Sequence, residues 1–292
     1  MASAHIVELP DGRQLGYAEI GDPEGYPVFI FHGTPGSRLS QTESSPIALI
    51  PGLKVITTDR PGYGLSDPYP TRTLLDWPDD VAALADHLNL DRFAVAGGSG
   101  GGPHALACAY KIPERVSIAI VYSSPAPANF SGATKKLSLA NRMSVWISRY
   151  APWLRQRLMN SYKNIFLKNP DGYIDALAAQ MSVYDQEILK RPEVRNRIKE
   201  ELREAYRQGV QGHIIDSSLI MTSQGWGFDL AKIAVPTHIW YGEEDRLITK
   251  AMAEYLIQTI PTARAHLLPD KGHLLLEDES LVREIVSPLL EA

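Results

Sequence analysis

The chain has 292 residues, enough for one large hydrophobic core with a modest insertion. Its 44% hydrophobic and 22% charged residues match an ordinary globular protein and exclude wholesale disorder. The net charge of −5 alone points to no partner, and the single cysteine, Cys108, excludes an internal disulfide framework and a cysteine zinc site.

Residues Met1 to Pro10 read as a short polar lead running into a strand, without the basic and apolar regions of a signal peptide. No apolar run approaches the ~20 residues that span a bilayer. The expectation is therefore a protein of the reducing cytoplasm with no membrane span. Residues 5–9 and 14–20 form two strands joined at Asp11-Gly12. Pro27–Phe31, Val55–Thr58, Phe93–Ala96 and Ile118–Tyr122 are continuous apolar runs, the pattern of strands covered on both faces. Helical patterns near 37–50, 76–89 and 100–110 fall between them. In the second, Val81, Leu84, Ala85 and Leu88 mark one apolar face. In the third, Cys108 sits among small apolar neighbours and reads as a buried helix residue.

After Ser124 the rhythm changes. Helical stretches near 134–150, 153–168, 171–180, 193–208 and 210–222 follow, punctuated by Pro152, Pro170 and Pro192. Strand patterns return at Thr237–Tyr241 and Ala265–Leu268, with helices near 249–259 and 279–290. The fold class is α/β: a mostly parallel, eight-stranded sheet flanked by helices, built from residues 1–125 and 229–292. Residues 126–228 are a helical insertion, expected to form a cap. Between Phe130 and Gly227 stand 15 Lys and Arg against 9 Asp and Glu, and the rest of the chain holds 14 against 25. A basic insertion over an acidic body reads first as solvated helix faces, and beyond that as electrostatic closure of the insertion onto the core. A mouth that draws in anionic acyl groups is the second reading.

The chemistry starts at Gly97-Gly98-Ser99-Gly100-Gly101. This is G-x-S-x-G between a strand and a helical pattern, the context of a nucleophile elbow. A serine hydroxyl is a weak nucleophile and must project toward a base. The turn that does this admits only small residues two positions before and after it, and Gly97 and Gly101 supply them. A glycine-rich turn with an incidental serine is the bland alternative. A phosphate-cradling loop fails because no Gly-Lys-Ser/Thr follows. His32-Gly33-Thr34-Pro35-Gly36-Ser37 follows the Pro27–Phe31 strand. Acyl transfer needs two N–H donors for the developing oxyanion, and Gly100 and Thr34 stand where they are required. His32 reads as a structural loop residue. The scattered histidines form no His-x-x-x-His pair, no nucleotide fingerprint is present, and the insertion carries no nucleic-acid module. No metal, cofactor or nucleic-acid partner is therefore expected, and the oligomeric state is left open.

His32–Gly36, Asp59-Arg60-Pro61-Gly62-Tyr63-Gly64-Leu65-Ser66 and Gly97–Gly101 together resemble the α/β-hydrolase superfamily. Within it the sequence is similar to the cap-bearing branch of esterases, proline iminopeptidases, epoxide hydrolases and haloalkane dehalogenases. The resemblance covers residues 5–124 and 229–292 and stops at the insertion. It implies a serine, acid, histidine order along the chain. His238 and His266 lie inside predicted strands, whereas His273 lies in the loop Pro269–His273 and is the implied base. In Gly242-Glu243-Glu244-Asp245, the family spacing selects Asp245 as the acid, with Glu243 and Glu244 as neighbouring carboxylates. The alternative acid position after Tyr122 holds Ser123-Ser124-Pro125 and no carboxylate. The Asp59–Ser66 segment reads as a structural turn. Serine at 99 departs from the aspartate nucleophile of the dehalogenases and epoxide hydrolases. Thr34 and Gly100 depart from the His-Gly-Gly-Pro-Gly and Gly-Gly-Ser-Trp-Gly of proline iminopeptidases. The expected activity is hydrolysis of a carboxylic ester, lactone or thioester with a largely apolar acyl or ester part, through an acyl-enzyme. The alternatives are an aminopeptidase, a carbon–carbon bond hydrolase or other non-hydrolytic enzyme on the same triad, and a catalytically silent ligand receptor.

Overall fold

The computed structural model describes residues 4–130, 152–221 and 225–290. Eight strands form one sheet: β1 (Ala4–Glu8), β2 (Gln14–Gly21), β3 (Tyr26–Phe31), β4 (Leu53–Thr58), β5 (Phe93–Gly98), β6 (Val116–Tyr122), β7 (Thr237–Gly242) and β8 (Ala263–Leu268). Their order is β1-β2-β4-β3-β5-β6-β7-β8. β2 runs antiparallel to both β1 and β4, and every other neighbouring pair is parallel.

The unbroken apolar runs become strands because both faces of the sheet are covered. In β3, Phe29 and Phe31 face one core, with Trp77, Val81 and Leu84 of α1 (Trp77–His87) and Leu106 of α2 (Gly102–Lys111). Val28 and Ile30 face the other core, with Leu281, Ile285 and Leu289 of the last helix, Glu279–Leu290. All four β3 side chains are almost fully buried, and each large one contributes about 1.5–3 kcal/mol by leaving water. Cys108 is buried in the first of these cores. Among the described residues no helix is long and apolar enough to cross a membrane.

Between β6 and β7 lie α3 (Pro152–Lys168), α4 (Pro170–Ala178), α5 (Val183–Leu189), α6 (Pro192–Ala205) and α7 (Gln211–Ile220). The helix expected near 134–150 lies outside the described residues. Helix α5 has no counterpart in the sequence reading. The Ser182 hydroxyl accepts from the Asp185 N–H at 3.2 Å and starts a new helix just after the expected end of the preceding one. The helix expected over 37–50 is instead two short 3-10 turns, Arg38–Ser40 and Pro46–Leu49. Ser45 Oγ accepts the Thr42 N–H at 2.9 Å, and Ser45 is extended before Pro46, so no continuous helix can form. The last two helices are α8 (Lys250–Thr259) and α9 (Glu279–Leu290).

The ion pairs among the described residues do not follow the net charge balance. Among the described residues, the ion pairs between the insertion and the sheet domain draw most of their carboxylates from the insertion: Glu204 meets Arg38, and Asp216 meets Arg60 and Arg72. Arg197 with Glu277 has the opposite sense. Several insertion cations pair locally instead, Arg195 and Lys199 with Asp171 and Asp175. Net charge counts such solvated helix faces, whereas contact is decided by a few buried groups.

Candidate active site

Every loop singled out by the sequence leaves the C-terminal end of a parallel strand, and these ends lie side by side along one edge of the sheet. That edge is where ligand sites form in parallel α/β sheets.

β5 ends at Gly98, and Ser99 follows with φ 50°, a left-handed backbone that an ordinary side chain adopts only when its surroundings impose it. The surroundings are glycine. A Cβ at Gly97 would strike the Gly101 carbonyl, and one at Gly101 would strike Phe31. Gly98 is equally constrained, since a Cβ there would fall on the Tyr122 ring. Helix α2 begins directly behind this turn.

β8 leads to His273, whose Nδ1 lies 2.7 Å from Asp245 Oδ2. The carboxylate is fully buried and the ring nearly so. Asp245 Oδ1 accepts the N–H groups of Leu247 and Ile248 at 2.8 and 3.0 Å, which aims its other oxygen at the ring. Burial opposes charge on His273, but the Asp245 carboxylate, and Asp185 further off, outweigh it and hold the ring above the ordinary histidine range. Glu243 pairs with Lys250, and Glu244 is exposed. The Asp245 partner fixes the proton on Nδ1 and leaves Nε2 as the acceptor. Ser99 and His273 line the same cavity, with no direct hydrogen bond between their side chains among the described residues. Such contacts often close only when substrate arrives.

β3 leads to the His32–Ser37 loop. Thr34 and Gly100 touch: a Cβ on Gly100 would lie 2.7 Å from the Thr34 Cβ. This accounts for the paired departure at these positions, because a large side chain at 100 cannot coexist with threonine at 34. Neither backbone N–H is spent on a protein acceptor among the described residues. His32 is buried. Its Nδ1 lies 2.7 Å from the Gly33 carbonyl, and its Nε2 accepts the Arg60 N–H at 3.3 Å. Burial and the Arg60 charge keep its pKa far below the usual value, so it is a neutral loop anchor. Asp59 likewise holds its turn, accepting the N–H groups of Arg38 at 2.7 Å and Leu65 at 2.9 Å.

Of these groups, His32, Thr34, Ser99 and His273 line a cavity of about 380 Å³. Leu177, Met181, Leu189, Ile198 and Leu202 of the insertion and Leu247 of the sheet domain give it apolar walls. Arg197, Glu201 and Glu277 add polar groups. Burial raises the Glu201 carboxyl to about 7, despite Arg197 nearby.

Three buried residues at this site make contacts that the sequence does not report. Asp185 of α5 accepts the N–H groups of His273 and Leu274 at 2.8 and 2.9 Å. Ser123 donates to the His273 carbonyl at 2.9 Å from the position where a carboxylate had been sought. Asp216 of α7 is buried against Arg60 and Arg72. For Asp185 the Ser-x-x-Asp spacing signals a helix start, but nothing local reports its contact with a loop 88 residues away.

The chain matches the family described as alpha/beta hydrolase fold over residues 26–280. It is 27% identical over 277 residues to the uncharacterized hydrolase YcgS of Bacillus subtilis (strain 168), covering 91% of this chain and 90% of that protein. It is 25% identical over 300 residues to a probable proline iminopeptidase of Leptolyngbya boryana, covering 94% and 88%. Among solved structures, the enol-lactonase from Burkholderia xenovorans LB400 shares the fold with a TM-score of 0.71 at 19% identity, over 99% of this chain and 100% of that one.

Proposed function

Because the chain belongs to the alpha/beta hydrolase fold family, we propose that it is a serine hydrolase of carboxylic esters, lactones or thioesters. Ser99 is the nucleophile, His273 the general base and acid, and Asp245 the residue that orients the imidazole. Ser99 Oγ attacks the acyl carbon while His273 Nε2 takes the hydroxyl proton. The carbonyl oxygen becomes an oxyanion held by the Thr34 and Gly100 N–H groups. The C–O bond to the leaving group breaks, and His273 returns the proton to the departing alcohol. Water then attacks the acyl-enzyme, His273 takes its proton, and Ser99 Oγ leaves with that proton restored. Asp245 stays ionised throughout.

One observation carries this reading. A left-handed serine between glycines shares a cavity with a buried histidine–aspartate pair at 2.7 Å. In the same account, residues 1–125 and 229–292 hold the machinery, and residues 126–228 are a cap that sets substrate choice. Its support is that side chains of α4, α5 and α6 line the cavity beside Ser99, and their apolar character favours a largely apolar acyl part.

Aminopeptidase activity is the second reading. Glu201 and Glu277 place carboxyl groups in the cavity that suit a substrate ammonium, and the Leptolyngbya boryana relative carries a proline iminopeptidase name. Thr34 and Gly100 weigh against it. A panel of p-nitrophenyl esters of increasing acyl length beside proline p-nitroanilide separates the two. The ester reading predicts turnover of the esters with at least a hundredfold preference over the anilide. Preference for the anilide would overturn it.

A further inference from the structure

We propose that Asp216, supplied by helix α7 of the insertion, is a positioning residue for the Gly33–Thr34 peptide of the oxyanion site, acting through Arg60. The proposal rests on the serine-hydrolase reading above and deepens it.

The geometry of one amide decides where the oxyanion donor points. In a trans peptide the C=O and the following N–H point to opposite sides. The Gly33 carbonyl and the Thr34 N–H belong to one such unit, so whatever holds the carbonyl sets the direction of the donor. The Gly33 oxygen receives Arg60 Nη2 at 2.9 Å and His32 Nδ1 at 2.7 Å. Arg60 Nη1 also donates to the His32 carbonyl, and Nη2 donates to Thr34 Oγ1 at 3.0 Å. One guanidinium therefore grips three successive residues of the loop, and Arg60 itself does not line the cavity. It leaves the Thr34 N–H facing away from the grip.

Arg60 is itself fully buried and needs a counter-charge. Asp216 provides it: Oδ2 accepts Arg60 Nε at 2.9 Å and Nη2 at 2.6 Å, and also Thr34 Oγ1 at 3.2 Å. The helix carrying Asp216 reaches this depth because it packs backbone against backbone. A Cβ on Gly212 would lie 2.7 Å from the Gly62 carbonyl, and Gly62 has φ +86°. Burial opposes ionisation of Asp216, yet Arg60 and Arg72 hold it well below the usual carboxylate range, so it is charged at neutral pH. The planar fork of Arg60 satisfies the carboxylate and the carbonyls together, which a lysine cannot. Arg72 binds the other Asp216 oxygen and, among the described residues, makes no hydrogen bond to the His32–Thr34 loop. Arg72 is thus an internal control for mere loosening of the helix.

The test compares Asp216→Asn, Arg60→Lys and Arg72→Lys in the full chain, using p-nitrophenyl butyrate, benzeneboronic acid and a fluorophosphonate. Loss of one well-aimed oxyanion donor costs about 10²–10³ in kcat, and misorientation costs part of that. Asp216→Asn and Arg60→Lys should lower kcat by about 10- to 100-fold with KM within threefold. Inhibition by the boronic acid, which forms a tetrahedral adduct on the serine, should weaken in step. Arg72→Lys should lower the melting temperature while keeping kcat within threefold. Should Asp216→Asn fail to fold, Arg60→Lys carries the test, because it retains the ion pair. Folded Asp216→Asn or Arg60→Lys with kcat and boronate inhibition near wild type would overturn the proposal. So would an equal kcat loss in Arg72→Lys. Failure of the wild-type protein to react with the fluorophosphonate at Ser99 is a different result, and it overturns the underlying hydrolase reading.

Discussion

Replacing Glu201 with glutamine should stabilise the protein more at pH 8 than at pH 5. The Glu201 carboxyl lines the cavity and has its pKa raised by burial from 4.5 to about 7. A folded-state pKa above the unfolded value means that the native state holds a proton which the unfolded chain releases. The resulting penalty is absent below the unfolded value, grows as pH rises from 4.5 toward 7, and is fully present above that. At 1.36 kcal/mol per pKa unit, the shift corresponds to about 3 kcal/mol. Solvent screening of this partly exposed side chain reduces the figure to about 2 kcal/mol. For a chain of this size that is roughly 4–8 °C in melting temperature. Glutamine keeps the shape and does not titrate, so the difference in Tm between Glu201→Gln and wild type isolates the effect. Thermal melts of both proteins at pH 5 and pH 8 read it directly. An equal difference at both values, or a larger one at pH 5, would refute the reasoning.

Two further predictions follow from the site's geometry. Asp245→Asn should lower kcat by about 10³- to 10⁴-fold, while Glu244→Gln, whose side chain is exposed, should stay within threefold. The residual activity of Asp245→Asn should hold to lower pH than wild type does. Removing the carboxylate lowers the His273 pKa, and activity is lost as pH falls through that value. Gly100→Ala should cost at least tenfold in kcat by pushing the Thr34 side chain aside. Adding Thr34→Gly should recover most of the loss. A double variant no better than the single one would show that the two positions are not coupled through contact.

The order of strands and helices was legible because buried parallel strands are written as unbroken apolar runs, and β3, β5 and β6 have no other reading. The glycines at 97 and 101 were legible because the turn around Ser99 is a local steric problem. Asp245 was legible through the resemblance to the family, whose pattern places the acid three residues after Gly242, and its carboxylate lies 2.7 Å from the His273 ring. Local rules failed where contact is distant. Asp216 meets Arg60 across 156 residues, and Asp185 meets the His273 N–H across 88. Neither contact leaves a periodic trace. The charge balance of the insertion says little about contact for a related reason, since it weighs exposed Lys and Arg equally with the buried carboxylates Asp185 and Asp216. The 37–50 segment failed because Ser45 and Pro46 rule out a continuous helix where apolar spacing alone suggests one.

The central claim is that Ser99 carries the acyl group. Its most direct test is intact mass with peptide mapping after fluorophosphonate treatment, run on wild type and Ser99→Ala beside their ester hydrolysis. The account predicts one adduct per chain, located on Ser99. It predicts no adduct on the alanine variant and a loss of turnover on the order of 10⁴-fold with the fold intact. A folded Ser99→Ala protein within tenfold of wild type on the esters that wild type cleaves, or an adduct on another residue, would contradict it.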